Sequence, residues 1–352
     1  MQYLRLLAFT VLACLAASAQ SNSYSVTPII TNTDTGVGTD PLLVNPWGLS
    51  RPLNPSLAEN QWWAADNATG YSTLYTVNNT GDANIVPLKI VIPPAVSPGT
   101  GSPTGTAFNP SNNNFTFVTQ DGTLSNWDAG EKPAAPGSGC FRCHVDTATI
   151  KVDNSALGAS YEGLTLARNA ASGALAYYVA NSNGGIEAYY AATFAPVPLV
   201  AGAFTDASIP GTYAPAGIQA IGSKIFVAYN AVGGGGAGYV DAFNTNGKLL
   251  LRLQSVGLNQ PWGIAIAPTG FGSFSRALLV GNTGSGRIGA YHPRTGKFLG
   301  FLKDAGGNPI VIPGLWGIEF GNGNAESGPT NVLYFNGGGD YTSGVFGAIS
   351  AN

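Results

Sequence analysis

Two sets of side chains recur at fixed places in the sequence and could together bind a ligand. The first set directly precedes a glycine that returns about every 50 residues, and the second ends the apolar run that follows each of those glycines. The pre-glycine set contains Trp47, Thr104, Glu162, Ala216, Trp262 and Trp316. The turn set contains Asn67, Asp121, Asn181, Asn230, Asn282 and Asn336. Indole rings and amide or carboxylate groups that converge on a concave surface would suit a small polar molecule, a glycan or a peptide.

The same residues also have a purely structural interpretation. Asn and Asp are favoured at tight turns, because they tolerate positive φ and hydrogen-bond their own backbone. A tryptophan beside a glycine can pack neighbouring sheets together. The sequence leaves both interpretations open, and carbohydrate is our first expectation for a ligand, since indole faces stack on sugars and amides bond hydroxyls.

Glu162 is the one charged residue of the pre-glycine set. Together with Asp66, Asp121 and nearby Asn side chains it could complete a Ca²⁺ site, because Ca²⁺ takes six to eight oxygen ligands. Glu162 and Asp121 are therefore the candidate catalytic residues of a metal-dependent hydrolase or lyase, which is the alternative to a non-catalytic binding protein. Asn outnumbers carboxylate here, which argues against a strong divalent site. His292 lies in a turn outside both sets, so a general base would have to be a carboxylate.

Cys140, Cys143 and His144 form the pattern C-x-x-C-H, which attaches c-type haem. Two thioethers hold the porphyrin and the histidine ligates the iron, as in an electron-transfer protein. The motif lies in a Gly- and Pro-rich insertion, Ala129–Val145, with little apolar mass to enclose a porphyrin. The alternatives are a Cys140–Cys143 disulfide that pins a surface loop, as an oxidising compartment permits, and a metal or redox-active dithiol site.

The composition indicates a folded β protein. Among 352 residues there are 49 glycines and 23 prolines, with 44% hydrophobic and 9% charged residues. These values exclude a coiled coil and a disordered chain. The net charge is −3 without a cluster of Lys or Arg, so we expect no nucleic-acid partner.

Residues 1–19 have the features of a signal peptide. Arg5 precedes the apolar run Leu6–Ala17, and Ala17-Ser-Ala19 fits a cleavage site. A lipoprotein signal ending at Cys14 would leave a very short apolar stretch. No later run approaches the ~20 residues that cross a bilayer. We expect an exported monomer, periplasmic or extracellular, in which residues 20–352 form a single domain.

The recurring glycines mark six repeats of short strands. The clearest repeat, Asn259–Phe301, predicts four strands, at Ile264–Ala267, Ala277–Gly281, Arg287–Tyr291 and Lys297–Phe301. Five of the six repeats continue into a fourth strand, and the sixth ends after its third. A period near 50 residues with about four strands each predicts a β-propeller, because twisted sheets bury their faces by stacking radially.

The unassigned strand Tyr24–Ile30 could supply what the sixth repeat lacks. We therefore predict an all-β, six-bladed β-propeller that is closed by the N-terminal strand pairing in the last blade. A seventh blade or an open solenoid has no sequence to fill it. In this fold the pre-glycine and turn sets open on the same face, around the mouth of the central channel.

The repeated pattern of a strand, Asn-Gly and a further strand resembles that of NHL-type six-bladed propellers. More specific motifs are Asn45-Pro-Trp-Gly48, Pro103-Thr-Gly-Thr-Ala-Phe-Asn109, Asp153-Asn-Ser155, Tyr161-Glu-Gly-Leu164 and Asn336-Gly-Gly-Gly339. Together they resemble an uncharacterised family of exported bacterial propellers, some members of which carry a PEP-CTERM sorting tail. This chain ends at Ser350-Ala-Asn352 without such a tail, so we expect release and not anchoring. The resemblance implies fold and export, and it implies no established activity.

Overall fold

The computed structural model describes residues 23–35, 37–128 and 145–352, which form six β-sheets around a central axis. The predicted signal peptide therefore lies outside the described residues, as do Cys140, Cys143 and His144. Within the described ranges no helix is long and apolar enough to cross a membrane.

The strands are short, and most are bounded by Gly, Pro, Asn or Ser. They are β1 (Tyr24–Thr31), β2 (Gly38–Thr39), β3 (Pro46–Ser50), β4 (Trp62–Asp66), β5 (Tyr71–Val77), β6 (Ala83–Val91), β7 (Pro103–Asn109), β8 (Asn114–Thr119), β9 (Thr123–Trp127), β10 (Val145–Thr147), β11 (Thr149–Asp153), β12 (Tyr161–Arg168), β13 (Leu175–Asn181), β14 (Gly185–Tyr190), β15 (Tyr213–Ile221), β16 (Lys224–Ala231), β17 (Gly238–Asn244), β18 (Leu249–Arg252), β19 (Pro261–Ile266), β20 (Leu278–Asn282), β21 (Ile288–Tyr291), β22 (Phe298–Phe301), β23 (Leu315–Phe320), β24 (Leu333–Gly337) and β25 (Val345–Ala351). Two single-turn 3₁₀ helices, Ser155–Leu157 and Gly272–Phe274, lie in connections.

Each sheet is one blade, and the prediction of an all-β, six-bladed propeller is confirmed. The blades, written from the innermost strand outward, are β3-β4-β5-β6-β10, β7-β8-β9-β11, β12-β13-β14, β15-β16-β17-β18, β19-β20-β21-β22 and β23-β24-β25-β1-β2. In the last blade β1 runs antiparallel to β25, with Tyr24 opposite Ala351 and Thr31 opposite Val345. The first and last strands of the described chain therefore share one sheet.

Two blades differ from the simple four-strand repeat. The third blade has three strands, and in place of a fourth it has one isolated bridge between Tyr189 and Pro196. Pro196 and Pro198 have no backbone N–H, so this segment cannot continue a ladder. The first blade gains β10, which runs parallel to β6 with Val145 opposite Lys89.

The recurring glycine of each innermost strand lies where that strand meets the next blade. A Cβ atom on Gly163 would lie 2.7 Å from the carbonyl oxygen of Ala216, whereas real Cβ atoms essentially never come within 3.0 Å of another atom. The same close approach to the next blade occurs at Gly48, Gly105, Gly217 and Gly263. In the last blade, a Cβ on Gly317 would lie 2.7 Å from the carbonyl oxygen of Trp47 in the first blade. The six blades therefore form a closed ring of backbone contacts that only glycine permits.

Aromatic side chains fill the wedges between neighbouring blades, and Tyr24 of β1 is one of them. Its ring is 1% exposed and packs against Phe271 of the fifth blade, with ring centroids 4.9 Å apart. Its hydroxyl donates to the Phe271 carbonyl oxygen over 3.2 Å. The N-terminal strand is thus held by side-chain packing as well as by its ladder with β25.

Because the innermost strands lie so close together, adding one methyl group at a repeat glycine should lower the free energy of unfolding substantially. In Gly217→Ala the new Cβ would overlap the backbone of Trp262 in the fifth blade, closer than at Gly163. We expect the free energy of unfolding to fall by about 1–3 kcal/mol or more, because backbone cannot move aside. Urea unfolding followed by tryptophan fluorescence measures it.

Gly211→Ala is the matched control, because Gly211 is exposed and no atom lies within 4 Å of its added Cβ. We expect this variant to stay within about 0.5 kcal/mol of the parent protein. Equal stability of the two variants would contradict the glycine ring.

Candidate functional site

Three tryptophans of the pre-glycine set meet on the axis of the propeller. Trp47 and Trp316, from the first and sixth blades, stack with ring centroids 3.7 Å apart and an interplanar angle of 14°. Trp262, from the fifth blade, stands edge-on to both, at 6.4 Å from Trp47 and 5.9 Å from Trp316. Trp47 and Trp262 are only 4% and 9% exposed. The mouth of the channel is therefore filled by a tryptophan triad.

The indole nitrogens of the triad differ in their hydrogen bonding. Trp262 Nε1 donates to the backbone oxygen of Glu162 in the third blade over 3.1 Å. This hydrogen bond joins the fifth blade to the third across the end of the fourth blade. The pre-glycine residue of the fourth blade, Ala216, packs against the triad with its small side chain. Trp47 Nε1 and Trp316 Nε1 are buried and have no hydrogen-bond partner among the described residues. A buried donor left unpaired costs about 1–3 kcal/mol, so an acceptor that reaches these atoms is favoured.

A cavity of about 250 Å³ lies beside the triad. Its walls are the three tryptophans, Glu162, Ser182, Asn183, Ala214, Pro215, Ala216, Asn230, Ala231, Val232 and Gly233. A second, much smaller cavity of about 30 Å³ lies between the innermost strands. The cavity beside the triad is therefore the roomier of these two spaces near the axis.

Glu162 supplies the carboxyl group of this pocket. Its Oε1 accepts from Ser160 Oγ over 3.1 Å and from Ser182 Oγ over 3.3 Å. Burial raises the pKa of Glu162 above its ordinary value, and the hydrogen bonds from Ser160, Ser182 and Gln120 act against that shift. The carboxyl oxygens of Glu162 can accept a hydrogen bond from a ligand hydroxyl.

The turn set is placed differently, since only Asn230 among its members lines the cavity. Asn67 Nδ2 donates to the Pro103 carbonyl of the second blade over 3.3 Å, and Asn336 Nδ2 donates to the Gly48 carbonyl of the first blade over 2.9 Å. Asn282 and Asn181 accept from the backbone N–H groups of Asn259 and Ser160 at 2.8 and 3.1 Å. These amides hold the backbone around the mouth in place.

The members of the turn set also differ in register, which the sequence did not reveal. In the first three blades, the residue that follows the second strand donates its backbone N–H to the carbonyl oxygen of the residue two positions before the pre-glycine residue. The donor and acceptor residues are Asn67 and Asn45, Gln120 and Ser102, and Ser182 and Ser160, at 2.9–3.2 Å. Gln120 and Ser182 are therefore the equivalents of Asn67, and Asp121 and Asn181 are each offset by one. A one-residue offset turns a side chain to the other face of a strand.

Three residues near the pocket were missed by sequence reasoning, namely Gln120, Ser160 and Ser182. Ser160 and Ser182 donate to the Glu162 carboxyl group, and Gln120 acts to lower its pKa. They could have been found by counting residues outward from each repeat glycine along the antiparallel pair formed by the first and second strands of the blade. The end of the apolar run is a poorer marker, because run length varies from blade to blade.

Glu162 and Asp121, the two candidate catalytic residues, are not brought together. Asp121 Oδ2 accepts from the backbone N–H of Ala95 over 2.6 Å, and Asp121 does not line the cavity. Asp66 is 0% exposed, and burial raises its pKa. In the described ranges no three residues of the types His, Cys, Asp or Glu lie close enough together to hold a metal ion.

Comparison with known proteins gives relatives of similar sequence and solved structures of similar shape. No family model matches the chain. An uncharacterized protein of Acanthamoeba polyphaga mimivirus is 28% identical over 321 residues, covering 84% of this chain and 73% of the relative. A second uncharacterized protein of the same virus is 36% identical over 120 residues, covering 31% and 32%. These relatives are viral, so they do not support the bacterial part of the resemblance.

Two solved structures align over nearly the whole chain. The WD40 β-propeller domain of Doa1 covers 96% of this chain and 98% of its own, with 8% identity and a TM-score of 0.47. A catalytically inactive virginiamycin B lyase from Staphylococcus aureus, solved with quinupristin, covers 93% and 99%, with 11% identity and a TM-score of 0.47.

The raised pKa of Glu162 predicts a pH-dependent effect of Glu162→Gln on stability. The folded chain holds this proton more tightly than the unfolded chain does. The contribution of Glu162 is therefore fully present below the unfolded pKa, about 4.3, and is lost as pH rises through the folded pKa. Relative to the parent protein, Glu162→Gln should gain stability as pH rises above that value. Chemical unfolding at a series of pH values measures the difference.

Asp82→Asn is a control of opposite sign. Hydrogen bonds from Thr80 and Asn78 lower the pKa of the exposed Asp82, so its contribution is present above the unfolded pKa and is lost as pH falls. Asp82→Asn should therefore lose stability relative to the parent as pH rises through the acidic range. The raised pKa of Glu162 would be contradicted if the stability difference between Glu162→Gln and the parent protein did not change with pH. It would also be contradicted if that difference changed in the same direction as for Asp82→Asn.

Proposed function

We propose that this protein is a non-catalytic binding propeller whose mouth pocket holds a small polar ligand, with carbohydrate as the chemical class. The observation that carries the proposal is the pair of buried, unpartnered indole N–H groups of Trp47 and Trp316 beside the carboxyl group of Glu162. Two donors and a carboxyl group in one pocket select ligands whose oxygens both accept and donate hydrogen bonds. Sugar hydroxyls have this property.

The size and shape of the pocket favour a single small unit. A cavity of about 250 Å³ lies just below the usual range for ligand pockets, so it suits one sugar ring or one peptide side chain. Trp47 and Trp316 stack on each other, so one face of each indole ring is already covered. Recognition would therefore rest on the indole N–H edges and on the remaining surface of Trp262 and Trp316. A small rotation of the indoles would bring their shielded nitrogens to the ligand.

The hydrolase or lyase alternative needs a second carboxylate or a metal beside Glu162. Within the described ranges Asp121 is bonded elsewhere and no cluster of metal-binding residues occurs. The haem hypothesis concerns Cys140, Cys143 and His144, which lie outside the described residues, and the visible absorption spectrum of the purified protein tests it. Export remains a proposal from residues 1–19, and it would place the mouth pocket among extracellular or periplasmic glycans and peptides.

The proposal is tested by titrating the protein with the best ligand found on a glycan array. Trp316→Phe keeps the aromatic ring and removes one donor, so we expect affinity to fall about tenfold, as for one hydrogen bond. Isothermal titration calorimetry measures it.

Trp62→Phe is the matched control for this experiment. Trp62 is also buried with an unpartnered indole N–H, but it packs against Tyr334 and Phe346 and does not line the pocket. It should leave the affinity unchanged. Absence of binding to every sugar would remove the carbohydrate assignment, and equal losses in both variants would remove the mouth pocket as the site.

A further inference from the structure

A cavity of about 430 Å³, which we call the fifth-blade cavity, lies at the end of that blade opposite the tryptophan triad. In this blade Pro261, next to Trp262, marks the mouth end, and Leu278, which pairs with Tyr291, marks the other end. The cavity is bounded by the connection that precedes Leu278, the turn that follows Tyr291 and Leu299 of β22. Its volume falls within the usual range of ligand pockets, about 300–1,000 Å³.

The fifth blade carries positive charge and no acidic residue. Residues 261–301 contain Arg276, Arg287, Arg294 and Lys297 but neither Asp nor Glu, in a chain whose net charge is −3. Arg276 and Arg294 are exposed and line the cavity, and the ion pairs of the described ranges involve other cations. A surface that concentrates charge of one sign attracts ligands of the opposite sign.

His292 contributes a hydrogen-bond donor beside the two arginines. Its Nδ1 accepts from the backbone N–H groups of Arg294 and Thr295, over 3.3 and 3.2 Å. An imidazole nitrogen that accepts carries no proton, so the proton of the neutral ring is on Nε2. His292 also lines the cavity, so Nε2 can donate to an oxyanion there.

The backbone at Arg276 is unusual for a residue with a side chain. Its φ is 63°, a left-handed conformation that glycine and asparagine adopt more easily than arginine. The N–H of Arg276 donates to the Ala267 carbonyl over 3.0 Å, which closes the connection from β19 to β20. Residues held in such conformations cluster at functional sites. Here the side chain held in this way is a guanidinium at the wall of a cavity.

Most of the remaining wall is apolar. Phe274, Ala277, Pro293 and Leu299 line the cavity, and Leu299 is 47% exposed. The ring of Phe274 is half-buried and stacks on Tyr24 of β1, with centroids 6.1 Å apart and an interplanar angle of 7°. Exposed apolar surface rimmed by charged groups is typical of a binding site. The charged groups and the apolar wall together suit a ligand that has both an anionic and an apolar part.

We propose that the fifth-blade cavity binds a small organic anion in which a carboxylate or phosphate group is joined to a compact apolar body. Arg276, Arg294 and His292 would hold the oxygens, because guanidinium groups bind carboxylate and phosphate through paired hydrogen bonds. Phe274 and Leu299 would cover the apolar body. The site is independent of the mouth pocket, so failure of one proposal leaves the other standing.

Four probes separate the anion from the body that carries it, and ligand-observed NMR measures their binding. Phenyl phosphate and phenylacetate carry an anion on an aromatic ring, benzyl alcohol lacks the charge, and inorganic phosphate, added as a competitor, lacks the ring. We expect both organic anions to bind more tightly than benzyl alcohol. Inorganic phosphate should displace phenyl phosphate only at a much higher concentration.

Two arginine variants test the charged part of the site. In Arg276→Gln and in Arg294→Gln the affinity for phenyl phosphate should fall about tenfold, as for one charge-assisted hydrogen bond, while that for benzyl alcohol stays unchanged. Both side chains are exposed, so the melting temperature should stay that of the parent protein. The matched control is Arg287→Gln, because Arg287 lies on the same blade but packs over Phe301 and does not line the cavity.

A leucine variant tests the apolar part of the site. In Leu299→Ser the affinity for phenyl phosphate should fall about threefold, because apolar area is lost, while displacement by inorganic phosphate should become more effective. Leu250→Ser is the matched control, since Leu250 is 46% exposed on β18 of the fourth blade and does not line the cavity. It should leave both values unchanged.

Several results would overturn the proposal. Benzyl alcohol binding as tightly as phenyl phosphate would remove the anion from the recognition, and inorganic phosphate competing at the same concentration as phenyl phosphate would remove the apolar body. Equal losses in Arg287→Gln and in the two cavity variants would show general attraction to a basic surface. Binding that weakens in Trp316→Phe but not in Arg276→Gln or Arg294→Gln would place the probe at the mouth.

Discussion

The contact between the repeat glycine of one blade and the backbone of the next is the constraint on which the rest of the structure depends. Six such contacts occur, and the one from Gly317 to Trp47 joins the last blade to the first. None of these glycines has a positive φ. What they share is the absence of a Cβ, which lets the innermost strands come close enough for the residues just before the glycines to meet on the axis. The stack of Trp47 on Trp316 is a direct result, although 269 positions separate them in the chain.

Much of this fold could be predicted from the sequence, because the glycine spacing and the apolar runs are local signals. In the fifth blade the strands predicted at Ile264–Ala267 and Ala277–Gly281 are observed at Pro261–Ile266 and Leu278–Asn282. The missing fourth strand of the third blade was not predicted, although Pro196 and Pro198 mark it in retrospect. β10 was not predicted either, because three residues that pair in parallel with a distant strand leave no pattern of their own.

The candidate site was predicted less well than the fold. The sequence shows neither the register of the turn residues nor the hydrogen-bond partners of the buried side chains. The pre-glycine set was chosen by its distance from a fixed backbone contact, and five of its six members line one cavity. The turn set was chosen by residue type at the end of an apolar run, and only Asn230 lines that cavity. Asn67 and Asn336 donate to backbone oxygens of the neighbouring blade. The sequence also cannot tell which buried donors lack partners, and Trp47 Nε1 and Trp316 Nε1 beside the mouth pocket are two such donors.

Amide hydrogen exchange tests the closed ring most directly, because a ring has no terminal blades. In a closed ring, the innermost strands of the first and sixth blades, β3 and β23, are each covered on both sides, as β12 and β15 are. We therefore expect the amides of β3 and β23 to exchange as slowly as those of β12 and β15, since all four strands open in one cooperative unit. Protection that is highest in the third and fourth blades and falls steadily toward the first and sixth would indicate an open stack of sheets, and it would contradict the ring.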